Sequence, residues 1–398
     1  MFVTIIIFGL ILGLLIFVHE LGHFATARKN GITAHEFGFG FPPRIFGIVK
    51  DKKTGKWVTV WGNREYYGNS TLYSLNWIPL GGFVRIKGEN PVDPEELKNE
   101  NLPEEEKKFL EMSLEPDSFA VAPKWVRFKV LVAGVAMNFL LAWVLIAVVL
   151  MIGAPEPKDG ANADKVVRNI GVQIVEVLPD SPAEKIGLKI GDRVDEICYE
   201  GQCAKITSAD QLKKTILSHV GEQIEVHVTR GKSEVTVQGV PRVNPKEGEG
   251  ALGIAMMETV VVRYPWYGAF WESLIRVIGL IVTILTAFWT LIVNLVTGQG
   301  VSAEVAGPVG IAMMTQQMRD LGFVYLLQFA AILSINLGII NILPIPALDG
   351  GRIFFLIIEA LKGKPVNQKF ENTLHMVFFV ALIGLMVAIT VRDVLKLF

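Results

Sequence analysis

The sequence predicts a polytopic α-helical membrane protein with a soluble module inserted between its helices. The first observation is composition, because 51% of the 398 residues are hydrophobic and only 19% are charged. Soluble globular domains carry about 25% charged residues. The second observation is distribution, since long uncharged runs alternate with two charged segments. The net charge of −1 gives no electrostatic footprint for nucleic acid, which excludes nucleic-acid-binding classes.

The predicted transmembrane helices come from runs of about 20 apolar residues, the length that crosses a bilayer. Four spans are predicted, at residues 1–27, 125–153, 323–351 and 373–393. The first run has no basic residue ahead of its apolar core, and Arg28 and Lys29 follow it. This pattern favours a retained helix over a cleaved secretory signal.

The charged residues concentrate between these runs. Residues 28–124 form a basic loop that the positive-inside rule places in the cytoplasm, although the acidic, helix-prone stretch from Pro94 to Glu115 weakens that assignment. Residues 162–257 predict a soluble module with a strand at 172–177 and a helix at 208–219. Ser208 and Gln211 have the spacing of a capping box at the start of this helix.

The segment 19–23, His-Glu-Leu-Gly-His, carries the chemistry of the first helix. Residues four apart lie on the same helix face, so His19 and His23 can bind one zinc ion. Glu20 lies on the adjoining face, where it can act as a general base. Ionisable side chains at the end of a membrane helix are costly and indicate a functional site.

A zinc hydrolase site needs a third protein ligand, and Asp349 is the candidate. It follows an apolar run in which Pro344 and Pro346 break the helix, and Gly350 and Gly351 permit a tight turn. A carboxylate held there requires a cation, which zinc provides. The alternative is an interfacial aspartate that ends a helix.

These two motifs together resemble the site-2 protease family of intramembrane zinc metalloproteases, and in particular its bacterial regulator-of-sigma-E protease branch. The resemblance extends over nearly the whole chain. It implies one Zn²⁺ ion held by His19, His23 and Asp349, with Glu20 as the general base. It also implies regulated intramembrane proteolysis of single-span membrane proteins, such as anti-sigma factors or signal-peptide-like substrates, in the bacterial inner membrane.

The same resemblance identifies further residues near the active site. Asn138, in a segment that begins at Gly134, resembles the family's second-helix motif, and Asn336 and Asn341 match its intramembrane asparagines. Asn341 is a candidate donor to the oxyanion, and Asn138 and Asn336 are candidate substrate contacts. Interhelical hydrogen bonding is an equally good interpretation of all three.

The loop 28–124 contains a candidate substrate-binding strand. A substrate helix must unwind before cleavage, and its freed backbone groups need new partners in lipid. An exposed strand edge supplies them by strand addition. The candidate clamp comprises Gly81, Gly82, Phe83, Val84, Arg85 and Ile86, within the family's membrane-associated β-element. The alternative is an ordinary hairpin on the cytoplasmic surface.

The position of the two motifs constrains the topology. His19 and Asp349 meet only if their helices run in the same direction, with residues 162–257 outside the cytoplasm. The apolar run 277–297, within the region 258–322, is therefore predicted not to cross the membrane, although its hydropathy alone predicts a span.

The soluble module resembles a bacterial PDZ domain through segments 171–177 and 181–194. The chain has room for one such module, which can bind a peptide or act as a size filter. Cys198 and Cys203 flank a two-residue turn, which would place them opposite each other on a hairpin. The sequence is compatible both with a disulfide between them and with two free thiols.

The sequence is compatible with three functions. The leading prediction is an intramembrane zinc protease. The second is a PDZ-containing membrane adaptor with a non-catalytic zinc site, against which the presence of Glu20 argues. The third is a membrane transporter whose ion path uses the ionisable cluster, and a protein without zinc would favour it.

Overall fold

The computed structural model describes residues 2–51, 54–63, 70–89, 111–158, 165–231, 233–245, 249–298, 306–364 and 366–395. Most of the acidic stretch that begins at Pro94 lies outside the described residues. In chain order the elements are α1 (Phe2–Lys29), β1 (Ala34–Lys50), β2 (Trp57–Trp61), β3 (Leu72–Ile86), α2 (Lys124–Ile152), β4 (Ala154–Pro157), β5 (Val166–Val177), α3 (Pro182–Lys185), β6 (Arg193–Tyr199), β7 (Gln202–Lys205), α4 (Ala209–Ser218), β8 (Ile224–Arg230), β9 (Ser233–Gly239), β10 (Ile254–Val262), α5 (Trp266–Thr297), α6 (Pro308–Leu321), α7 (Phe323–Ile342), α8 (Asp349–Lys362) and α9 (Gln368–Leu395).

The described chain contains 5 helices that are long and apolar enough to cross a membrane, in α1, α2, α5, α7 and α9. The prediction of a polytopic membrane protein is confirmed at this level. The predicted span 323–351 is two helices, because α7 ends at Ile342 and α8 begins at Asp349. Proline lacks the N–H of a helical hydrogen bond, so Pro344 and Pro346 account for the break.

The chain divides into two compact units. The first comprises Met1–Trp143, Ile275–Met313 and Ala330–Phe398, and the second comprises Val144–Leu274 and Met314–Phe329.

The first unit contains a sheet in the order β2-β1-β3. The first half of β1 pairs with both ends of β3, so that Phe37 lies opposite Val84 on one side and Tyr73 on the other. Among the described residues, Val84 pairs only with Phe37. Residues 82–86 therefore form an edge of this sheet, as the strand-addition hypothesis requires.

Small residues let the helices of the first unit approach closely. A Cβ on Gly22 of α1 would collide with the backbone oxygen of Ala133 and lie 2.8 Å from Cγ of Met137 on α2. On the same side, a buried apolar cluster joins Ala27 of α1, Val130 of α2 and Ile353 of α8. These contacts bring the end of α1 and the beginning of α8 to one place.

The second unit contains a seven-stranded sheet in the order β4-β10-β5-β6-β8-β9, with β7 paired to β6. Ser208 caps α4 by accepting a hydrogen bond from the backbone N–H of Gln211 at 3.2 Å, as the capping spacing predicts. Cys198 and Cys203 lie opposite each other on β6 and β7 and form a disulfide. This sheet with two short helices agrees with the PDZ resemblance, which stays a prediction.

Candidate metal centre

Three predicted ligand side chains converge in the first unit. Nε2 of His19 lies 3.0 Å from Oδ2 of Asp349, and Nε2 of His23 lies 3.2 Å from the same oxygen. The two Nε2 atoms are 3.1 Å apart. The histidines are 7% and 6% exposed, so the three atoms face one another in a largely buried site.

The donor atoms fit a metal ion. Nδ1 of His23 donates a hydrogen bond to the backbone oxygen of Val130 at 2.8 Å, which leaves Nε2 of His23 with a lone pair. Oδ2 of Asp349 is buried without a hydrogen bond to the described residues. A lone pair and a carboxylate oxygen repel each other unless a cation lies between them. Ligands at 2.0–2.1 Å in a tetrahedral zinc site are roughly 3.3 Å apart, close to the separations here.

The side chain of Asn138 lies next to Nδ1 of His19, on the opposite side of the ring from the centre. Its side-chain amide is fully buried and 3.2 Å from Nδ1 of His19. The amide nitrogen Nδ2 faces Nδ1 of His19, and the amide oxygen has no hydrogen-bond partner among the described residues. A rotation of the amide by about 180° would let its oxygen accept a hydrogen bond from a protonated Nδ1, and the Nε2 lone pair of His19 would then point at the centre. The hydroxyl of Ser334 on α7 donates to the backbone oxygen of Asn138 at 2.8 Å, which joins α7 to α2 at this level.

Gly134 leaves the space that the imidazole rings occupy. A Cβ at this position would lie 2.7 Å from Cε1 of His23 and 2.8 Å from Cε1 of His19. Only glycine permits this approach of α2 to the rings. The sequence contained Gly134 within the second-helix motif, but its role depends on a contact between distant segments.

The turn that carries Asp349 is compact. A Cβ on Gly350 would lie 2.5 Å from the carbonyl carbon of Ile342, and one on Gly351 would lie 2.8 Å from Cα of Pro346. The backbone of the turn therefore folds against itself, as the two glycines predict. Asp349 is the first residue of α8, so its carboxylate projects from the helix start toward the histidines.

Glu20 lies between the centre and the sheet edge. Its carboxylate interacts electrostatically with His19, His23 and Asp349. Oε2 of Glu20 accepts a hydrogen bond from the backbone N–H of Val84 at 3.2 Å. The edge formed by residues 82–86 is therefore within one hydrogen bond of the candidate base.

The other residues predicted to contact substrate on β3 have three different kinds of neighbour. Gly81 and Gly82 lie against α1, because a Cβ on each would meet Ile16 and Phe17 respectively. Phe83 and Arg85 pair with Gly38 and Glu36 of β1. The side chain of Ile86 belongs to the buried cluster that also contains Val130.

The asparagines of α7 are not joined to the converging ligands by hydrogen bonds within the described residues. Asn336 and Asn341 are both half-buried on α7. Their predicted roles toward substrate stay predictions. Asn138, in contrast, lies within hydrogen-bonding distance of His19.

The comparison with known families now bears on this geometry. The sequence profile of peptidase family M50 matches residues 7–385. The chain belongs to peptidase family M50. This is the site-2 protease family that the two motifs predict, so the predicted family is confirmed.

Three relatives cover nearly the whole chain. The zinc metalloprotease RasP of Geobacillus kaustophilus is 30% identical over 99% of this chain and 98% of the relative. The regulator of sigma-W protease RasP of Bacillus subtilis is 32% identical over 99% of each. A putative zinc metalloprotease of Clostridium acetobutylicum is 28% identical over 99% of this chain and 98% of the relative. This M50 peptidase is therefore an intramembrane zinc metalloprotease of the site-2 type.

Proposed function

We propose that His19, His23 and Asp349 hold one zinc ion and that Glu20 is the general base of this M50 peptidase. The observation that carries the proposal is the convergence of two Nε2 atoms and one carboxylate oxygen beside Glu20. A structural zinc site usually has four protein ligands. Three ligands and an adjacent carboxylate fit a site that performs hydrolysis.

A bound zinc ion supplies Lewis-acid polarisation of a carbonyl and a more acidic water molecule. Glu20 takes the proton of the attacking water and later delivers it to the leaving amine. The N–H of Val84 holds the Glu20 carboxylate in place at 3.2 Å. Asn341 donates to the oxyanion that develops on the scissile carbonyl.

The substrate segment binds in extended form along residues 82–86 of β3. No further strand pairs with this edge among the described residues, and its Val84 N–H contacts Glu20. Both observations support this role, because strand addition at the neighbouring positions would place the substrate backbone beside the base. Trp57, Trp61 and Trp77 of the same sheet are each more than half exposed. Tryptophan favours the membrane interface, which supports a membrane-associated β-element.

The transmembrane core comprises α1, α2, α7 and α9. The contact between His19 and Asp349 supports α1 and α7 running in the same direction. Two such helices separated by α2 require an even number of crossings between Ile152 and Phe323. Among the described residues of that region, α5 alone qualifies as a span. Helix α5 therefore does not cross the membrane: it lies in the interface, enters and leaves from the same face, or packs on the helix bundle without spanning.

The substrates are single-span membrane proteins of the bacterial inner membrane, cleaved on its cytoplasmic side. The Bacillus subtilis relative is named as a regulator of sigma-W, which supports an anti-sigma factor as the substrate class. Residues 162–257 form an extracytoplasmic PDZ module that binds a peptide or excludes bulky outer domains. A disulfide at Cys198 supports the extracytoplasmic location, because such bonds persist in oxidising compartments.

The test is cleavage of purified single-span membrane proteins by the full chain and by its Glu20→Gln variant. We expect the variant to keep one zinc per chain and to lose about 10²-fold or more of its turnover. The second candidate function, an adaptor with a non-catalytic zinc site, predicts equal binding and no cleavage by either protein. Equal cleavage by both proteins would contradict the role of Glu20.

A further inference from the structure

The turn before Asp349 contains a backbone conformation that its residue type does not favour. Ala347 has a φ of +78°, in the left-handed region. A residue with a Cβ populates this region about tenfold less than the right-handed region. The other two non-glycine residues with positive φ in the described chain are Asp180 and Glu200. Something outside the turn must hold Ala347 in place.

His375 on α9 makes that contact. Its Nδ1 accepts a hydrogen bond from the backbone N–H of Ala347 at 2.7 Å. Because Nδ1 is the acceptor, the imidazole proton lies on Nε2, which is 3.8 Å from a carboxylate oxygen of Glu371 one turn earlier. The ring also packs against Phe355 of α8, with centroids 5.7 Å apart. The orientation of His375 is therefore fixed on three sides.

We propose that His375 is a positioning residue for the metal centre. By binding the N–H of Ala347, it keeps the turn in the left-handed conformation that directs Asp349 toward His19 and His23. The inference rests on the proposed function, because it takes Asp349 to be a zinc ligand. The hydrogen bonds inside the turn, such as Ile345 N–H to Leu343 O at 2.7 Å, involve other residues. His375 supplies the bond from a separate helix.

α9 has a second polar contact, which serves as a control. The carboxylate of Asp393 accepts hydrogen bonds from the N–H groups of Gly307 and Gly310 at 2.9 and 2.8 Å. This contact also fixes α9 to the rest of the first unit, but its partners are remote in sequence from Asp349. Weakening it tests whether a loosened α9 is sufficient to disturb the metal centre.

The experiment measures zinc affinity of the full-length protein in detergent by chelator competition. We expect His375→Ala to weaken zinc binding about tenfold or more, within the range for residues that orient metal ligands. His375→Asn should restore binding, because an asparagine oxygen can accept the same N–H. The double variant His375→Ala with Ala347→Gly should also restore it, since glycine adopts positive φ without support. Asp393→Ala, which removes the acceptor of both N–H groups, should bind zinc as the wild type does.

Three results for these variants would overturn the inference. Wild-type zinc affinity in His375→Ala contradicts it, as does a loss that neither His375→Asn nor Ala347→Gly repairs. A loss in Asp393→Ala as large as that in His375→Ala would show a general effect of α9. Asp349→Asn separates the two proposals. If that variant loses zinc and His375→Ala does not, only the role of His375 is wrong, whereas retention of zinc by Asp349→Asn refutes both.

Discussion

Replacement of Gly134 by alanine should damage the metal centre without damaging the helix. The new Cβ would collide with Nε2 of His23 and lie 2.7 Å from Cε1 of the same ring, whereas ordinary contact begins at 3.4 Å, so the ring or α2 must move by roughly 1 Å. The backbone oxygen of Val130 restrains the ring through Nδ1 of His23, so the displacement reaches Nε2. Displacements of about 1 Å can cost 10²-fold in rate, and perturbed ligand orientation costs about 10–100-fold in metal affinity.

The assay is zinc content and affinity of the purified full chain, followed by cleavage of a single-span substrate. Gly384→Ala is the matched control, because Gly384 is also helical and a Cβ there meets nothing within 4 Å. Alanine favours a helix over glycine by about 1 kcal/mol, so loss of zinc in Gly134→Ala alone cannot come from a weaker helix. Wild-type zinc affinity and turnover in Gly134→Ala would refute the assignment of the centre.

Three further predictions address the proposed substrate strand, the charged segment 28–124 and the topology. Val84→Pro should abolish cleavage and keep zinc, because proline has no N–H to donate to Glu20. The pairing of Val84 with Phe37 on the other side of the strand survives. Full activity of this variant would contradict the proposal that residues 82–86 clamp the substrate. Burial alone would raise the pKa of Asp117, but its hydrogen bonds from Lys87 and Thr33 lower it below the ordinary value of 3.8. Its contribution to stability is therefore complete at neutral pH and is lost below about pH 4, so thermal unfolding in detergent should show a smaller acid destabilisation in Asp117→Asn than in the wild type. A cysteine at Thr297, labelled in cells with a membrane-impermeant thiol reagent, should react only from outside, and reaction from the cytoplasmic side would contradict the proposed path of α5.

The membrane helices were predictable because their signal is local. The apolar runs at 1–27 and 125–153 agree with α1 and α2 within two residues at each end, since the hydrocarbon core demands a continuous stretch of fixed length. The break between α7 and α8 was equally visible, because proline acts on its own backbone. Hydropathy alone does not decide whether α5 crosses the membrane, because it depends on composition and gives no information on the direction in which the helices run.

The candidate ligands His19 and His23 were predictable from residue type and spacing, and Asp349 joined them through the family resemblance, but the groups that support these three residues were not predictable. Gly134 and the oxygen of Val130 have no spacing rule that connects them to His23, and His375 had no partner in the sequence. Val84 was predicted as part of a substrate strand, yet its hydrogen bond to Glu20 depends on how β3 lies against α1. Each of these contacts joins segments more than 20 residues apart, and a single sequence carries no pattern at such distances.

The sequence by itself determined the membrane class of this protein, its zinc-protease chemistry and the identity of the candidate ligands and base. The membrane class and the pairing of His19, His23 and Glu20 follow from local rules, which are apolar length, the four-residue spacing of a helix face and the backbone limits of proline and glycine. The protease chemistry and the role of Asp349 follow from the family resemblance. Only the tertiary structure decided which atoms orient those ligands, where the strand edge meets Glu20 and how the Asp349 turn is held. Those features depend on close approach of separate helices, which is set by packing volume and hydrogen-bond direction in three dimensions.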